Sequence, residues 1–225
     1  TYISSHDLQE PLRKIKTFGV LLDQDKENLS DNGQDYLRII LQSVTRMQTL
    51  LRDLLDYTTV KNASQNFEKT DFNKIVEEVI EDFKEKIQET KTTIKIEGRS
   101  EINIIPFQFR QLLQNLISNA IKFTSPEKNP YILIKSEIKQ GRELNINNLT
   151  PEINYCHISF TDNGIGFDPQ YKDRIFEVFQ RLNEYEEYKG TGIGLAICKR
   201  VVENHKGVIT AAGELNKGAT FDVYI

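Results

Sequence analysis

The sequence predicts an α+β protein: an N-terminal antiparallel helical hairpin, followed by an α/β sandwich with a mixed sheet and helices on one face. Up to about residue 60, apolar side chains recur at spacings of three and four. From about residue 66 onward, short β-type segments are interspersed with amphipathic helices. The 225 residues suit one large domain or two modest ones. We therefore expect domains at residues 1–62 and 66–225, with a boundary near Val60 to Asn66.

The hairpin consists of two predicted helices and a turn. The second helix carries a heptad seam made of Leu37, Ile40, Val44, Met47, Leu51 and Leu54. A weaker seam in the first helix contains Leu8, Leu12, Ile15 and Leu22. The segment Ser30-Asp31-Asn32-Gly33 predicts the turn between them. Because one hairpin leaves much apolar surface exposed, two hairpins should pair into a four-helix bundle, most simply as a homodimer.

His6 lies off this seam. At about 100° per residue it sits about 180° from Ile15 and about 160° from Leu8, so we expect it to face solvent. Its neighbour Asp7 can hydrogen-bond one ring nitrogen and leave the other as a nucleophile towards phosphorus. The alternative is an exposed helical histidine without a chemical role.

The second domain contains three predicted helices. Asp71 should cap a helix that runs to about Glu89, a second helix follows Pro106 through Ile121, and the third occupies the chain between Gly194 and Gly207. The predicted strands are residues 93–97, 101–105, 131–138, 157–161, 208–212 and 220–224. The polar, Asn-rich segment 140–154 is expected to be a loop. Together these elements predict one mixed sheet.

Composition excludes several classes of protein. Lys and Arg number 29 against 33 Asp and Glu, which does not favour a nucleic-acid binder. Cys156 and Cys198 form no paired motif, which argues against a disulfide scaffold or zinc site and fits a reducing cytosol. No apolar run approaches the ~20 residues of a membrane span. Because the chain starts abruptly inside a helix, we expect a cytoplasmic fragment of a longer protein, whose own membrane attachment is left open.

A polar stripe marks the helix after Pro106. Asn115, Asn119 and Lys122 stand at i, i+4 and i+7 and therefore share one face. Amide oxygens can ligate Mg²⁺, and a lysine can meet a phosphate oxygen. The alternative is a solvated polar face.

Two glycine-containing segments follow. Asp162-Asn163-Gly164-Ile165-Gly166 comes after a strand, and its carboxylate can accept a hydrogen bond from an amino group such as that of adenine. An ordinary strand-ending turn is the alternative. Gly190-Thr191-Gly192-Ile193-Gly194 leads directly into a helix, whose first N–H groups favour an anion. It lacks the Gly-Lys-Ser/Thr of a Walker loop, and Leu195 replaces the last glycine of a dinucleotide fingerprint.

These four segments, in this order, resemble the H, N, G1 and G2 boxes of bacterial sensor histidine kinases. Phe176-Glu177-Val178-Phe179-Gln180-Arg181 looks like the F box of that family, and the H box is most similar to the phytochrome-type and PAS-linked version. The resemblance covers almost the whole chain. It implies a dimerisation and histidine-phosphotransfer domain at 1–62. It also implies an ATP-binding domain at 66–225, of the superfamily shared with DNA gyrase, mismatch-repair ATPases and the heat-shock chaperone ATPase.

The resemblance further implies an activity in two-component signal transduction. Mg-ATP would phosphorylate His6, and the phosphoryl group would pass to an aspartate of a response regulator receiver domain. An upstream sensor domain would control the process, through helix rotation or bending near Pro11. Both ATP and Mg²⁺ are implied as cofactors.

Residue roles follow from the same resemblance. His6 is the phosphoacceptor, Asp7 its acidic partner and Asn119 the Mg²⁺ ligand. Residues 176–189 would form a mobile lid over ATP, from which Arg181 reaches the γ-phosphate. Asp162 and Thr220 would line the adenine site. The full set of implied nucleotide contacts is Asn115, Asn119, Lys122, Asp162, Gly164, Gly166, Arg181, Gly190, Gly192, Gly194, Leu195 and Thr220.

Two positions refine the implied mechanism. ATPases of this superfamily that split water carry Glu where Asn115 stands, and an amide cannot act as a general base, so we expect slow hydrolysis. Members that dephosphorylate their partner have Thr or Asn where Glu10 stands, so this chain departs from the phosphatase pattern.

Three rival functions stay open on sequence alone. These are an ATPase or ATP-gated clamp without histidine transfer, a degenerate kinase that serves as a dimeric scaffold, and a serine-directed kinase. The His6 segment and Asn115 favour the histidine kinase.

Overall fold

The computed structural model describes residues 2–62, 66–125, 127–144, 146, 149–182 and 190–225. Backbone contacts divide the chain into two units, Thr1–Thr59 and Val60–Ile225. The helices are α1 (Tyr2–Gln24), α2 (Asp31–Asn62), α3 (Phe72–Asp82), α4 (Lys84–Thr90), α5 (Pro106–Lys122), α6 (Gly141–Leu144) and α7 (Gly194–Asn204). The strands are β1 (Glu68–Asp71), β2 (Thr93–Glu97), β3 (Glu101–Ile104), β4 (Tyr131–Gln140), β5 (Asn154–Asp162), β6 (Val208–Glu214) and β7 (Gly218–Tyr224).

The first unit is the predicted helical hairpin. A short 3-10 turn, Lys26–Asn28, joins α1 to α2. The helices approach closely at Gly19, where an added Cβ atom would lie 2.7 Å from Cδ2 of Leu41. Because residues on either side of this short connection approach each other, the two helices fold back on one another and run antiparallel.

The turn lies earlier than the sequence predicts. Ser30 accepts the N–H of Gly33 on its hydroxyl oxygen at 3.2 Å and the N–H of Gln34 on its carbonyl oxygen at 2.9 Å. Ser30 is therefore the N-cap of α2, and Asp31 begins the helix. The prediction of a turn at 30–33 was wrong because Ser and Asp favour helix N-termini as much as turns.

The second unit contains a five-stranded sheet, whose strand order is β2-β4-β5-β7-β6. The β2–β4 pair is parallel, whereas the other three pairs are antiparallel. The sheet is therefore mixed, as predicted.

Helices cover one face of this sheet. Ile134 of β4 pairs with Phe160 of β5, and Phe160 pairs with Phe221 of β7, so the three side chains share a buried face. Against it α5 and α7 contribute the buried residues Leu112, Leu113, Leu116, Ile117, Val201 and Val202. The opposite face carries polar residues such as His157 and Asp222.

One predicted strand lies outside the main sheet. β3 pairs with β1, which was not predicted, in a separate antiparallel sheet of two strands. Ile102 and Ile104 are buried and alternate with exposed Glu101, which forms an ion pair with Lys69 at 2.6 Å. Alternation reveals a strand from local sequence, but the partner depends on distant residues.

Two local differences also concern the predicted elements. Asp71 caps α3 as expected, since its carboxylate accepts the N–H of Asn73 at 3.1 Å. The helix breaks at Phe83, whose φ of −99° and ψ of 7° are not helical, and α4 follows. The predicted loop at 140–154 contains α6, while residues 145, 147 and 148 lie outside the described part.

Both cysteines are buried free thiols, as expected. Burial raises the pKa of Cys156 to about 11 and that of Cys198 to about 12. Among the described residues, no helix has both the length and the apolar character that a membrane crossing requires.

Candidate functional site

The polar stripe of α5 faces away from the core. Leu112, Leu113, Leu116 and Ile117 of α5 are buried, whereas Asn115 and Asn119 are half-buried. The side-chain NH₂ of Asn115 donates to the carbonyl oxygen of Gln111 at 2.9 Å, and its amide oxygen lies on the side of Gly194. Asn115 and Asn119, one turn apart on α5, therefore lie on one half-buried face of the helix.

Lys122 ends this stripe in an unusual electrostatic setting. Burial lowers the pKa of its ammonium group to about 8, with a smaller contribution from the positive charge of Arg181. The ammonium lies 4.2 Å from the ring centroid of Phe123. Two cations held near each other in a partly desolvated setting are suited to an anion.

The glycine-rich segment before α7 lies against this stripe. A Cβ atom on Gly190 would be 2.5 Å from Nζ of Lys122, and one on Gly194 would be 2.8 Å from Oδ1 of Asn115. Both distances are shorter than a Cβ contact allows, so a side chain at either glycine would displace the end of the Lys122 or Asn115 side chain. The structure thus brings two pairs of predicted site residues together.

The helix that follows is anchored by apolar residues. Ile193 is fully buried in front of Gly194, the first residue of α7, and Leu195 is half-buried behind it. Gly192 has φ of +76°, and its carbonyl oxygen accepts the N–H of Phe179 at 2.9 Å. The N-terminal N–H groups of α7 therefore lie beside the α5 stripe, in an orientation that favours an anion.

Asp162 closes β5 in a largely buried position. Its Oδ1 accepts the N–H groups of Gly164 at 2.8 Å and Ala219 at 3.2 Å. Burial raises the pKa of this carboxyl group, and the two backbone hydrogen bonds oppose that shift. Both donors use Oδ1, so the second carboxylate oxygen takes part in neither of these two hydrogen bonds.

The glycines after Asp162 allow close backbone contacts. A Cβ atom on Gly164 would lie 2.7 Å from the carbonyl oxygen of Phe123, at the end of α5. Gly166 has φ of +62° and would collide with the carbonyl oxygen of Glu214 if it carried a side chain. The segment after Asp162 is therefore packed directly against the C-terminal end of α5.

Thr220 is not brought to Asp162 by its side chain. It pairs with Thr161 across the sheet, and the two hydroxyl oxygens are 3.0 Å apart. Side chains alternate along β7, so Thr220 projects on the face opposite to Ala219 and Phe221. Ala219 is the residue that meets Asp162. Sequence reasoning missed Ala219 because the contact uses a backbone N–H, for which no residue type is a signal.

The segment before the glycines is only partly described. Phe176 is buried and packs edge-on to Phe221, with ring centroids 6.5 Å apart. Phe179 has φ of +65° and an exposed ring. Arg181 is half-buried. Residues 183–189 of the predicted lid lie outside the described residues.

The H-box segment belongs to α1. Its helix continues through Pro11, and Asp7 is exposed. Glu10 accepts two hydrogen bonds from the guanidinium group of Arg13, each of 2.9 Å. The backbone of His6 is helical, while its side chain lies outside the described part.

Comparison with known proteins identifies the family. Residues 3–63 match the model of the His Kinase A (phospho-acceptor) domain, and residues 105–225 match the histidine kinase-, DNA gyrase B-, and HSP90-like ATPase. Cyanobacterial phytochrome A of Nostoc sp. is 38% identical over 98% of this chain and 27% of its own length. Phytochrome-like protein Cph1 of Synechocystis sp. is 36% identical over 98% of this chain and 28% of its own length. The chain therefore spans little more than a quarter of these relatives.

Solved structures agree on the fold. Full-length ShkA in complex with AMPPNP has a TM-score of 0.69 and 24% identity, and the match covers 99% of this chain and 44% of ShkA. The catalytic domain of histidine kinase ThkA has a TM-score of 0.55 and 26% identity, over 71% of this chain and 95% of that domain. The chain belongs to the histidine kinase-, DNA gyrase B- and HSP90-like ATPase family, within the histidine kinases that carry a His Kinase A phospho-acceptor domain.

Proposed function

We propose that this chain is the core of a sensor histidine kinase that transfers the γ-phosphoryl group of ATP to His6. The observation that carries the proposal is the meeting of three motifs within the second unit. Asn115 and Lys122 of α5 lie against Gly194 and Gly190, and the segment after Asp162 packs on the end of α5. A base acceptor, a cationic group and a helix N-terminus are thereby collected in one unit of a chain that also carries a phospho-acceptor domain.

Each group has a distinct task in the proposed reaction. The second oxygen of the Asp162 carboxylate accepts a hydrogen bond from the adenine amine, while Gly164 and Gly166 let the base approach the backbone. Lys122 and the first N–H groups of α7 neutralise phosphate oxygens. The positive charge of Arg181, which acts on Lys122, also attracts the phosphate oxygens.

A magnesium ion fits this donor set. Mg²⁺ is held by hard oxygen ligands and often by only one or two protein groups together with substrate phosphates. The amide oxygen of Asn119, with that of Asn115 one turn away, offers such ligands. When bound, the ion would offset the charge that develops between the β- and γ-phosphates. No group of three or more His, Cys, Asp or Glu in the described residues would hold a metal without the nucleotide.

The acceptor step requires an unprotonated imidazole nitrogen at His6. That nitrogen attacks the γ-phosphorus in line with the bond to the β–γ bridging oxygen, and ADP departs with that oxygen. Asp7 accepts the hydrogen bond of the other ring nitrogen and stabilises the positive charge that forms on the ring. Asn115 cannot act as a general base towards water, so hydrolysis stays slow and the phosphoryl group is kept for His6.

Partners follow from the same proposal. Phosphohistidine would pass its phosphoryl group to an aspartate of a response regulator receiver domain. Histidine kinase ThkA, which shares the fold over 99% of this chain with a TM-score of 0.62, has been crystallised in complex with the response regulator protein TrrA. Two hairpins would pair into a homodimer, and an upstream sensor domain would set the rate of autophosphorylation.

Incubation with γ-labelled ATP and Mg²⁺ tests the proposal. Wild type is expected to acquire label that is labile in acid and stable in base, whereas His6→Gln acquires none. His157→Gln is the matched control, since His157 lies in the second unit and contacts Asp222 rather than a motif residue; it should keep the label. Acid-stable label, or label that persists in His6→Gln, would contradict the assignment, and rapid phosphate release in its place would indicate an ATPase.

A further inference from the structure

Asn163 connects the base-recognition segment to the start of β4 through its side chain. Its Oδ1 accepts the N–H of Tyr131 at 2.8 Å, and its Nδ2 donates to the carbonyl oxygen of Asn129 at 3.0 Å. We propose that Asn163 is a positioning residue that holds Asp162 in the orientation needed to distinguish adenine from guanine. This inference rests on the proposed function.

The two side-chain hydrogen bonds of Asn163 lie on either side of a proline in the chain. Pro130 has no N–H, and the side chain of Asn163 uses one polar group on each side of it. The backbone N–H of Asn163 adds a third hydrogen bond, to the carbonyl oxygen of Tyr131 at 3.2 Å. Three hydrogen bonds from one residue therefore fix the point where the chain enters β4.

The next residues hold the other end of the same connection. The N–H of Ile165 donates to the carbonyl oxygen of Phe123 at 2.8 Å, directly after α5. The link from α5 to β4 is thus bonded to Asn163 at its end and to Ile165 at its beginning. Since Lys122 is the last residue of α5, this segment joins the base side of the proposed site to its phosphate side.

Asp162 depends on this backbone for its orientation. Its Oδ1 accepts the N–H of Gly164, within the same segment, and the N–H of Ala219, on β7. Without the amide of Asn163, the Asp162–Gly164 backbone can shift, and the free carboxylate oxygen moves with it. A displacement of about 1 Å is enough to weaken a directional hydrogen bond to the base. Adenine offers an amine to this oxygen, whereas guanine offers a carbonyl oxygen at the same ring position.

The test compares affinities for ATP and GTP, measured by competition in the presence of Mg²⁺ on the whole chain. Asn163→Ala is expected to weaken ATP binding by about 3- to 10-fold, the range for a lost hydrogen bond. GTP binding should change by less than about 2-fold, because it does not use the Asp162 contact. The preference for ATP over GTP therefore falls.

Asn73→Ala is the matched control. Asn73 also donates its side-chain NH₂ to a backbone carbonyl, that of Gly98 at 3.0 Å, but it lies at the start of α3. A loss of folded protein lowers the binding of ATP and of GTP equally, so this variant should keep the wild-type preference for ATP. An unchanged preference in Asn163→Ala would overturn the inference.

A second variant keeps the test valid if the alanine protein does not fold. Asn163→Asp retains an acceptor for the Tyr131 N–H but places a carboxylate oxygen against the Asn129 carbonyl, so it should lower the preference as well. Failure of wild type to bind ATP would instead contradict the proposed function. Normal ATP binding by wild type with an unchanged preference in both variants would contradict only the role of Asn163.

Discussion

Lys122 shows how neighbouring residues adjust one side chain. The ammonium group is half-buried at the end of α5 and lies beside Gly190, where any side chain would occupy its space. Burial lowers its pKa to about 8, and the charge of Arg181 acts in the same direction. The group is therefore mostly charged at pH 7 and mostly neutral at pH 9 before a phosphate binds.

Substitution Lys122→Met should weaken ATP binding by about 10- to 100-fold, the range for a hydrogen bond to a charged group. In wild type, ATP affinity should fall as pH rises from 7 to 9, because the free protein loses the lysine charge above about 8. Calorimetric titration across this pH range should show that dependence reduced in the variant.

Lys84→Met serves as the control for this prediction. Lys84 is exposed on α4 and pairs with Glu81 at 2.6 Å. Its replacement should leave both the affinity and its pH dependence unchanged. Equal pH slopes in wild type and Lys122→Met would show that another group titrates.

At the scale of elements, one histidine links three strands on the face of the sheet opposite to the helices. His157 of β5 lies 2.8 Å from Asp222 of β7 through Nε2 and 3.3 Å from Glu137 of β4 through Nδ1. Its ring stacks on Tyr224, with centroids 4.8 Å apart. Only the protonated ring donates to both carboxylates, so the hydrogen bond and charge of Asp222, with those of Glu137, raise the pKa of His157.

This raised pKa predicts a stability that decreases with pH. The contribution is fully present below the unfolded value of 6.5 and is lost as pH rises through the higher folded value. Because the ring is partly exposed, we expect a decrease in melting temperature of only about 1–2 °C from this group. Thermal unfolding of wild type and His157→Gln between pH 5.5 and 8.5 measures it.

In that experiment, the effect of His157 on stability must be distinguished from the effect of the charged residues around it. Glu137 also pairs with Lys139 at 2.5 Å, so Lys139→Met is the control for a general change of surface charge. It should retain the slope that His157→Gln loses. Identical profiles for wild type and His157→Gln would contradict the prediction.

At the scale of the whole molecule, the heptad seam of α2 divides into two columns. Leu37 and Val44 are 6% and 2% exposed and pack within the hairpin, whereas Ile40, Met47 and Leu54 are 48%, 43% and 41% exposed. The exposed column repeats every seven residues, which is the spacing for packing against another helix. A second hairpin is the partner that the proposed homodimer supplies.

The double substitution Ile40→Glu with Met47→Glu should dissociate that dimer, because it would bury unpaired charges in an apolar interface at a cost of several kcal/mol. Sedimentation velocity at micromolar concentration measures the association state. Gln42→Glu, at an exposed position of the same helix, should leave the dimer intact. A monomeric wild type, or a double variant that stays dimeric, would contradict the proposed assembly.

Local sequence determined most elements of this protein. The periodicity of apolar residues predicted both hairpin helices, and alternation predicted β2 at its observed bounds. The spacing of Asn115, Asn119 and Lys122 predicted a common helix face. These predictions succeed because the period of a helix or strand is a property of consecutive residues.

Tertiary structure alone decided which segments meet. The pairing of β3 with β1, the approach of Gly194 to Asn115 and the contact of Ala219 with Asp162 all join residues far apart in the chain. The contact of Ala219 uses a backbone N–H, which every residue except proline carries, so residue type could not reveal it. The side of β7 on which Thr220 projects was likewise settled by strand register, since a shift of one residue reverses every side chain.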